Sequence, residues 1–297
     1  IKRILCPIDF SDHSMHALDH AVAFAKWYGS SITLLHVRPP APVPYPAGPG
    51  MVATFLTPQE RAALLDSMHQ LQQERCKGAP STVDVIEGPI ATEILTRAES
   101  MRADLLVMGT HGRSGFERLM LGSITEKVLR RAACPVLTVP VAVAVAATPA
   151  DLVKSIVCAV DFSACSMHAL SYALSIAKES DALLTVMHVV EVPPDLPAEG
   201  SGGPFSMREY VESSQHVRVE RLNQAIPADA RAYCQVDTLV TTGKAYREIL
   251  RVAEERHAGL LVVGIHGRGA IDRLLFGSTT QHLVRLATCP VLTLRTE

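Results

Sequence analysis

The pattern of apolar and polar positions along the chain predicts short buried strands that alternate with amphipathic helices. Residues 3–8 form an apolar run of strand length, and Ser11 then precedes a stretch in which apolar residues recur at helical spacing from Ala17 to Ala25. A second apolar run follows at 32–37. Strands that alternate with helices in this way predict a parallel sheet covered on both faces.

The first half of the chain continues this alternation after a proline- and glycine-rich loop at 38–57. Its further predicted helices are 58–77, 90–102 and 123–132, and its further predicted strands are 82–86, 104–108 and 136–139. The second half repeats the series and has its own long loop at 191–204.

The two halves are related by an internal duplication. A shift of 152 residues places 1–37 on 153–189 with 17 of 37 positions identical, and a shift of 155 places 109–139 on 264–294 with 16 of 31 identical. A period of about 150 residues is too long for a solenoid repeat. We therefore predict two doubly wound α/β domains, at 1–140 and 153–297, joined by a linker at 141–152.

Each half carries the same glycine signature after its fourth predicted strand. The first copy reads G-T-H-G from Gly109 to Gly112, then nine residues, then Gly122 and Ser123. A strand, a glycine loop and a helix start in this order can cradle a phosphate, because the helix start offers free N–H groups and a positive dipole end. The alternative is that the glycines only make a tight connection.

The glycines have distinct expected roles in this cradle. A side chain at Gly109 or Gly264 would block the approach of a ligand to the backbone, and Gly112 and Gly267 are expected to adopt positive φ in a tight turn. Gly277 ends the second copy as Gly122 ends the first.

Each signature also predicts a capped helix start. Ser123 with Glu126 has the form of a capping box, and Ser278 with Gln281 has its S-x-x-Q variant. The hydroxyls that could add donors for a phosphate are those of Ser123, Thr125, Ser278 and Thr280.

An aspartate ends the first strand of each half, at the edge where ligands of parallel sheets bind. Asp9 and Asp161 could accept a hydrogen bond from a ribose hydroxyl or an adenine amine. They could equally help to cap the following helix, a role that Ser11 and Ser163 could share. Both interpretations stay open from the sequence.

Composition excludes several classes of function. The formal net charge is -2 and the basic residues are scattered, which argues against a nucleic acid or an anionic membrane as the main partner. The longest apolar stretch, 139–147, is too short to span a bilayer. Seven cysteines without a CxxC pair predict neither a disulfide framework nor a zinc knuckle, so a reducing cytoplasm is the expected location.

These motifs resemble the universal stress protein family in its tandem, two-domain form. The resemblance covers nearly the whole chain and rests on G-x-x-G-x9-G-S, on the first strand that ends in aspartate, and on the C-P-V-L run from Cys134 and from Cys289. It implies a five-stranded parallel sheet per domain, of the adenine-nucleotide alpha-hydrolase type, and membership of the branch that binds ATP, with or without Mg²⁺.

The resemblance also implies which positions contact the nucleotide. In the first half they are Pro7, Ile8, Asp9, Val37, Met108, Gly109, His111, Gly112, Gly122, Ser123, Ile124 and Thr125. In the second half they are Ala159, Val160, Asp161, Val189, Val263, Gly264, His266, Gly267, Gly277, Ser278, Thr279 and Thr280. Two departures mark the second copy, Ala159 in place of Pro7 and Thr279 in place of Ile124.

Other polar residues near the signature carry weaker predictions. Arg113 and Arg268 could each reach a phosphate or stay solvated in the loop. His111 and His266 are expected to serve the phosphates through their backbone N–H groups, because no nucleophile or paired carboxylate accompanies them. We predict no catalytic residue and no metal ligand set.

The leading functional hypothesis is therefore an ATP-binding regulatory protein of the stress response with little or no turnover. There is no Walker lysine motif and no aspartate pair for Mg²⁺. A slow ATPase or related nucleotide-processing enzyme, and a scaffold with vestigial sites, stay as alternatives. The duplication further predicts that the two domains pack as an internal pseudo-dimer through strands 136–139 and 291–294, and it leaves open whether two chains pair again.

Overall fold

The protein folds as two compact units, Ile1–Pro149 and Ala150–Glu297, in a computed structural model. The structure describes residues 1–44, 51–112, 121–141, 153–191, 207–267 and 277–296. Each unit is an α/β domain with its own parallel sheet, so the predicted fold class is confirmed.

The first unit contains a five-stranded parallel sheet in the order β5-β2-β1-β6-β7. Its strands are β1 (Arg3–Pro7), β2 (Ser31–Arg38), β5 (Ser81–Glu87), β6 (Leu105–Gly109) and β7 (Val136–Val139). Its helices are α1 (Asp12–Tyr28), α2 (Pro58–Arg75), α3 (Ile90–Ser100) and α4 (Ser123–Arg131).

The strand order of the first unit places a crevice at one defined point of the sheet. The chain moves outward from β1 through β2 to β5, then returns past β1 to β6 and β7. Right-handed crossovers in opposite directions put α1 and α2 on one face and α3 and α4 on the other. The direction reverses between β1 and β6, which is where ligands of such sheets bind, at the carboxyl ends of the strands.

The second unit repeats this topology in the order β10-β9-β8-β11-β12. Its strands are β8 (Ser155–Ala159), β9 (Leu183–Val190), β10 (Gln235–Thr242), β11 (Leu260–Gly264) and β12 (Val291–Leu294). Its helices are α5 (Ala164–Ser180), α6 (Met207–Ala225), α7 (Ala230–Tyr233), α8 (Ala245–Glu255) and α9 (Ser278–Leu286). Its reversal point lies between β8 and β11.

The central strands are buried on both faces, which explains why they read as continuous apolar runs rather than alternating ones. All five residues of β6 are buried, and Leu106 and Val107 are fully inaccessible. The predicted strand and helix bounds agree with the structure to within about two residues, the usual scatter of element ends.

One predicted loop contains regular structure. Residues 38–57 hold β3 (Ala41–Pro44) and β4 (Met51–Thr54), which pair in antiparallel fashion. Two of the prolines that favoured a loop, Pro42 and Pro44, lie in this two-stranded ribbon outside the main sheet, where fewer backbone donors are needed. The second predicted loop, 191–204, lies almost wholly outside the described residues.

Candidate functional site

The aspartate that follows the first strand of each unit anchors a serine. In the first unit, Asp9 Oδ1 accepts from Ser11 N at 3.0 Å and from Ser11 Oγ at 2.6 Å. Asp161 Oδ1 accepts from Ser163 at the same two distances. The serine in turn caps the helix, since Ser11 Oγ accepts from Ser14 N at 3.3 Å. The helix cap is therefore the serine, and the aspartate holds it in place.

The second carboxylate oxygen of each aspartate faces the glycine loop. A Cβ added to Gly112 would lie 2.8 Å from Asp9 Oδ2, and one added to Gly267 would lie 2.7 Å from Asp161 Oδ2. Neither glycine has a φ in the left-handed region, so the predicted positive φ is wrong. These positions need glycine because a carboxylate packs against them.

The glycines that end β6 and β11 are likewise required by packing within the protein. A Cβ on Gly109 would lie 2.8 Å from the backbone oxygen of His13, and one on Gly264 would lie 2.8 Å from the backbone of Cys165 and Ser166. The first turn of α1 or α5 therefore occupies the space that we had expected a ligand to need.

The N-cap of each helix that follows a signature lies one residue before the serine of the predicted capping box. Gly122 and Gly277 are the N-caps of α4 and α9, without a side-chain cap, so both predicted capping boxes are wrong. Gly122 N–H donates to Thr110 O at 2.9 Å, and its own carbonyl accepts from Glu126 N at 2.9 Å. These two backbone bonds position the helix start. The side chains of Ser123 and Ser278 are consequently exposed at the first helical position.

The threonine hydroxyls of the same turn donate hydrogen bonds to the glycines that end β6 and β11. Thr125 Oγ1 donates to Gly109 O at 3.0 Å, and Thr280 Oγ1 donates to Gly264 O at 2.9 Å. Their hydrogens are therefore not available as phosphate donors, contrary to our expectation. What faces the crevice is the set of backbone N–H groups of the first helical turn, which have no partner within a helix.

A cavity of about 750 Å³ opens at this crevice in the second unit. Its volume lies within the range of small-molecule sites. All twelve second-half residues carried over from the signature line it: Ala159, Val160, Asp161, Val189, Val263, Gly264, His266, Gly267, Gly277, Ser278, Thr279 and Thr280. Arg268, and its counterpart Arg113, lie outside the described residues.

The corresponding residues of the first unit converge on the same point of its sheet. Ile8, Val37 and Met108 are buried at the ends of three neighbouring strands, and Pro7 is the last residue of β1. The backbone bond from Gly122 to Thr110 brings the start of α4 back to the end of β6. Ile124 follows Ser123 in that first turn.

Several cavity residues were not predicted from the sequence. They are Ser166, Met187, His188, Val190, Glu191, Arg218, Ala245, Ile249 and Leu283. Two of them had a usable signal in the repeat, since His188 matches His36 and Ser166 matches Ser14. Arg218 and Ala245 come from α6 and α8, and a sequence pattern does not tell which residues of a covering helix reach the sheet edge.

In both units a histidine of the second strand packs on a phenylalanine that follows the first strand. His36 Nδ1 donates to Ile8 O at 2.8 Å, and His188 Nδ1 donates to Val160 O at 2.6 Å. Each ring packs on a phenylalanine in the left-handed conformation, Phe10 with φ 63° and Phe162 with φ 64°. A bulky residue with positive φ is rare. The two halves therefore share the same strained backbone conformation at this position.

The histidine of the first glycine turn is close to a second histidine. The His111 ring lies 5.2 Å from that of His13, and Thr110 Oγ1 lies 3.0 Å from His111 Nδ1. Burial, and then the neighbouring His111, lower the pKa of His13. Cys165 occupies the equivalent position in the second unit, so this pair belongs to the first unit alone.

Three further properties of the described residues concern other kinds of chemistry. Within 1–44, 51–112, 121–141, 153–191, 207–267 and 277–296, no group of three or more His, Cys, Asp or Glu side chains could hold a metal ion. No helix in this part of the chain is long and apolar enough to cross a membrane. All seven cysteines are free.

Comparison with known proteins gives a consistent result across the chain. The model of the Universal stress protein family matches residues 1–140 and 153–295. A universal stress protein of Mycolicibacterium smegmatis is 30% identical over 302 residues, which cover 98% of this chain and 96% of that protein. Universal stress protein MJ0531 of Methanocaldococcus jannaschii is 37% identical over 140 residues, 46% of this chain and 81% of that protein.

The fold is shared with a solved structure over the full length. A universal stress protein from Archaeoglobus fulgidus DSM 4304 aligns with a TM-score of 0.68 and 21% identity, covering 99% of this chain and 98% of that one.

Proposed function

Because the chain belongs to the universal stress protein family, we propose that it is an ATP-binding regulatory protein of the stress response. The observation that carries this proposal is the cavity of the second unit. It joins a helix start, a positioned carboxylate and an apolar wall at the reversal point of a parallel sheet.

The two ends of this cavity suit the two ends of a nucleotide. On the β9 side the lining is largely apolar and includes Val189, Val190 and Ile249, which suits a flat base. On the β11 side it consists of the glycine turn and the first turn of α9, which suits phosphates. Asp161 lies after β8, between the two ends, where a ribose would sit.

The arrangement of the carboxylate supports nucleotide holding rather than hydrolysis. Asp161 Oδ1 already accepts two hydrogen bonds from Ser163, and Oδ2 packs against Gly267. A general base needs access to the proton that it removes. In this proposal any Mg²⁺ enters the site on the phosphates of ATP, and occupancy rather than turnover is the signal.

A negative charge introduced at the start of α9 tests whether the phosphates of ATP bind there. Ser278 is exposed at the first position of α9, so Ser278→Asp keeps the helix stable because an acidic residue suits a helix N-terminus. The same charge repels a phosphate. We expect ATP affinity at the second unit to fall at least tenfold, about 1.4 kcal/mol, in isothermal titration calorimetry, with an unchanged melting temperature.

Matched variants assign the result to one unit. Ser123→Asp makes the same change on α4 of the first unit, and Ser171→Asp adds the same charge to an exposed position of α5 outside the cavity lining. If Ser171→Asp weakened ATP binding as strongly as Ser278→Asp does, the phosphates would not bind at the start of α9. ATP consumed at enzyme-like rates by the unmodified protein would favour the ATPase, and no bound nucleotide with no response to ATP would favour the vestigial scaffold.

A further inference from the structure

A group of cationic and aromatic side chains lies beside the cavity of the second unit. It consists of Lys244, Tyr246, Arg247, His282 and Arg285, and we call it the cationic cluster. Lys244 to Arg247 surround the start of α8, and His282 and Arg285 lie on α9. The two helices pack against each other, which brings these residues together.

Tyr246 is the centre of this cluster. Its ring stacks on that of His282, with centroids 4.3 Å apart and an interplanar angle of 20°. Lys244 Nζ lies 5.3 Å and Arg247 Cζ lies 5.9 Å from its centroid. Arg247 Nε also donates to the Tyr246 hydroxyl at 3.2 Å. That hydrogen bond and the charges of Arg247, Lys244 and Arg285 lower the pKa of Tyr246.

The positive charges of the cluster are not neutralised within the described part of the chain. None of Lys244, Arg247 and Arg285 forms an ion pair there, and Arg285 Nε is buried without an acceptor. The nearby carboxylates serve other groups. Glu248 pairs with Arg251 at 2.7 Å, and Glu191 accepts from Ala245 N at 2.9 Å.

The first unit lacks this cluster at the matching positions. The repeat places Pro89, Ala91 and Thr92 where the second unit has Lys244, Tyr246 and Arg247. The counterpart of Arg285 is Arg130, which is neutralised by Glu126 at 2.7 Å. The second unit has Gln281 in place of that glutamate. Two added cations, Lys244 and Arg247, and the loss of one acid therefore increase the positive charge beside the cavity of the second unit, while the first unit has Lys127 in place of His282.

The cluster is continuous with the cavity. Ala245, between Lys244 and Tyr246, lines the cavity, and so does Ser278, whose carbonyl accepts from His282 Nδ1 at 2.7 Å. Guanidinium and ammonium groups that lack a carboxylate are suited to bind phosphate oxygens. A ligand that fills the cavity can therefore present a further anionic group to the cluster.

We propose that the cationic cluster is a second anion subsite of the second unit, which binds an additional phosphate group of the nucleotide held in the cavity. The proposal rests on the proposed function, because the cavity must first take a nucleotide. The preferred ligand of this unit is then a nucleotide that carries a further phosphate, either on the ribose or at the end of a longer 5′ chain.

The test compares nucleotides that differ only in where the phosphate lies. Adenosine 3′,5′-bisphosphate and ADP are isomers, so a preference between them reports a phosphate on the ribose. A difference in affinity between adenosine 5′-tetraphosphate and ATP shows that the cluster binds the end of a longer 5′ chain. Binding of inorganic pyrophosphate shows that the cluster binds an anion without the rest of the nucleotide. We expect one of these probes to bind the second unit at least tenfold more tightly than its reference, or pyrophosphate to compete at micromolar concentration, with affinity that falls as salt rises.

Variants then link the preference to the cluster. Arg247→Gln combined with Arg285→Gln should remove the tenfold preference and leave AMP affinity unchanged. Arg130→Gln is the matched control on α4 and should leave the preference intact. Equal affinity within every pair together with no competition by pyrophosphate, or a preference that survives the double variant, overturns this inference alone. Failure of AMP and ATP to bind at all overturns the proposed function as well.

Discussion

The two units share one set of hydrogen bonds, from serine to aspartate and from threonine to the strand-ending glycine, which we call the frame. They differ in the side chains around it. The bonds between aspartate and serine have the same lengths in both, 3.0 and 2.6 Å, and the threonine bonds to the strand-ending glycine differ by 0.1 Å, at 3.0 and 2.9 Å. This agreement is a property of the sequence, since these residues are identical in the two halves. What the frame does is therefore common to both units.

The differences lie in the side chains that surround the frame. His13 is replaced by Cys165, Glu126 by Gln281, and the buried His20 by Tyr172. The frame fixes where a ligand lies, and these surrounding residues determine charge and protonation next to it. The identical hydrogen-bonded residues indicate what the two units do in common, and the differing side chains indicate how their charge and protonation diverge. Each of the following experiments tests one of these two groups of residues.

The largest effect is expected from changing the strand-ending glycines. Gly109→Ala places a Cβ 2.8 Å from backbone atoms of α1, and Gly264→Ala places one 2.8 Å from backbone atoms of α5, so the helix must move. We expect each to lower the free energy of unfolding of its own unit by about 3 to 4 kcal/mol. Hydrogen exchange resolves the two units, and fluorescence of Trp27, the single tryptophan, follows the first.

The matched control for this experiment is Gly122→Ala. Its Cβ would lie 3.1 Å from Thr110 O, so the neighbouring backbone must shift by less than in the strand-ending variants, and the expected loss is smaller. A loss below about 0.5 kcal/mol in the strand-ending variants, in the range of ordinary surface changes, would show that the helices adapt and that the frame is not rigid.

Acid should separate the two units. His20 is fully buried, neither of its ring nitrogens has a partner among the described residues, and burial lowers its pKa to about 4. The unfolded chain binds this proton near pH 6.5, so the folded state loses stability as the pH falls from 6.5 to 4. The loss in the first unit should reach about 3 kcal/mol, because folding lowers the pKa of His20 from 6.5 to about 4.

The control for the acid experiment is the residue of the second unit. His20→Tyr copies Tyr172 and removes the titrating ring, so the slope of stability against pH should flatten in the first unit even if the variant is less stable at pH 7. Urea unfolding followed by Trp27 fluorescence at several pH values measures that slope. An unchanged slope would assign the acid sensitivity to other groups, such as His13.

The fold was largely predictable because its signals are local and repeated. Apolar runs of strand length, glycine-ended strands and the repeat itself give the α/β class and the tandem organisation, and the family resemblance is confirmed. Where the prediction was wrong, the competing force was long-range. Gly112 is a glycine because Asp9, distant in sequence, packs against it, and a local rule attributed it to backbone conformation.

Only the backbone elements of the site were predictable from the sequence. The signature gave the strand ends and the start of α9, but the cap at Gly277 depends on a backbone bond to Ile265 O at 3.1 Å across the whole loop. Arg218 lies on α6, and Lys244, Tyr246 and Arg247 of the cationic cluster lie at the start of α8, neither of which carries a signature. Their positions follow from helix packing, which a single sequence does not give.

The helix-capping serines should matter equally in the two units. Ser11→Ala and Ser163→Ala each remove a cap and a partner of the adjacent aspartate. We expect each to cost its unit about 1 kcal/mol in the free energy of unfolding. Ser67→Ala, at an exposed position within α2, is the control and should cost little. Unequal losses at the two caps would contradict the view that the frame is the same in both copies.

The smallest effect concerns the charge pair that distinguishes α4 from α9. Glu126→Gln breaks a partly exposed pair with Arg130 and should cost the first unit about 0.3 kcal/mol. Gln281→Glu builds the same pair around Arg285 and should stabilise the second unit by a similar amount. Because the new carboxylate also neutralises Arg285 of the cationic cluster, it should weaken the preference for the additional phosphate while the fold becomes slightly more stable. Calorimetric titration of both swapped variants against the same pair of isomers checks this, and a preference that is undiminished in Gln281→Glu would mean that Arg285 does not face the anion.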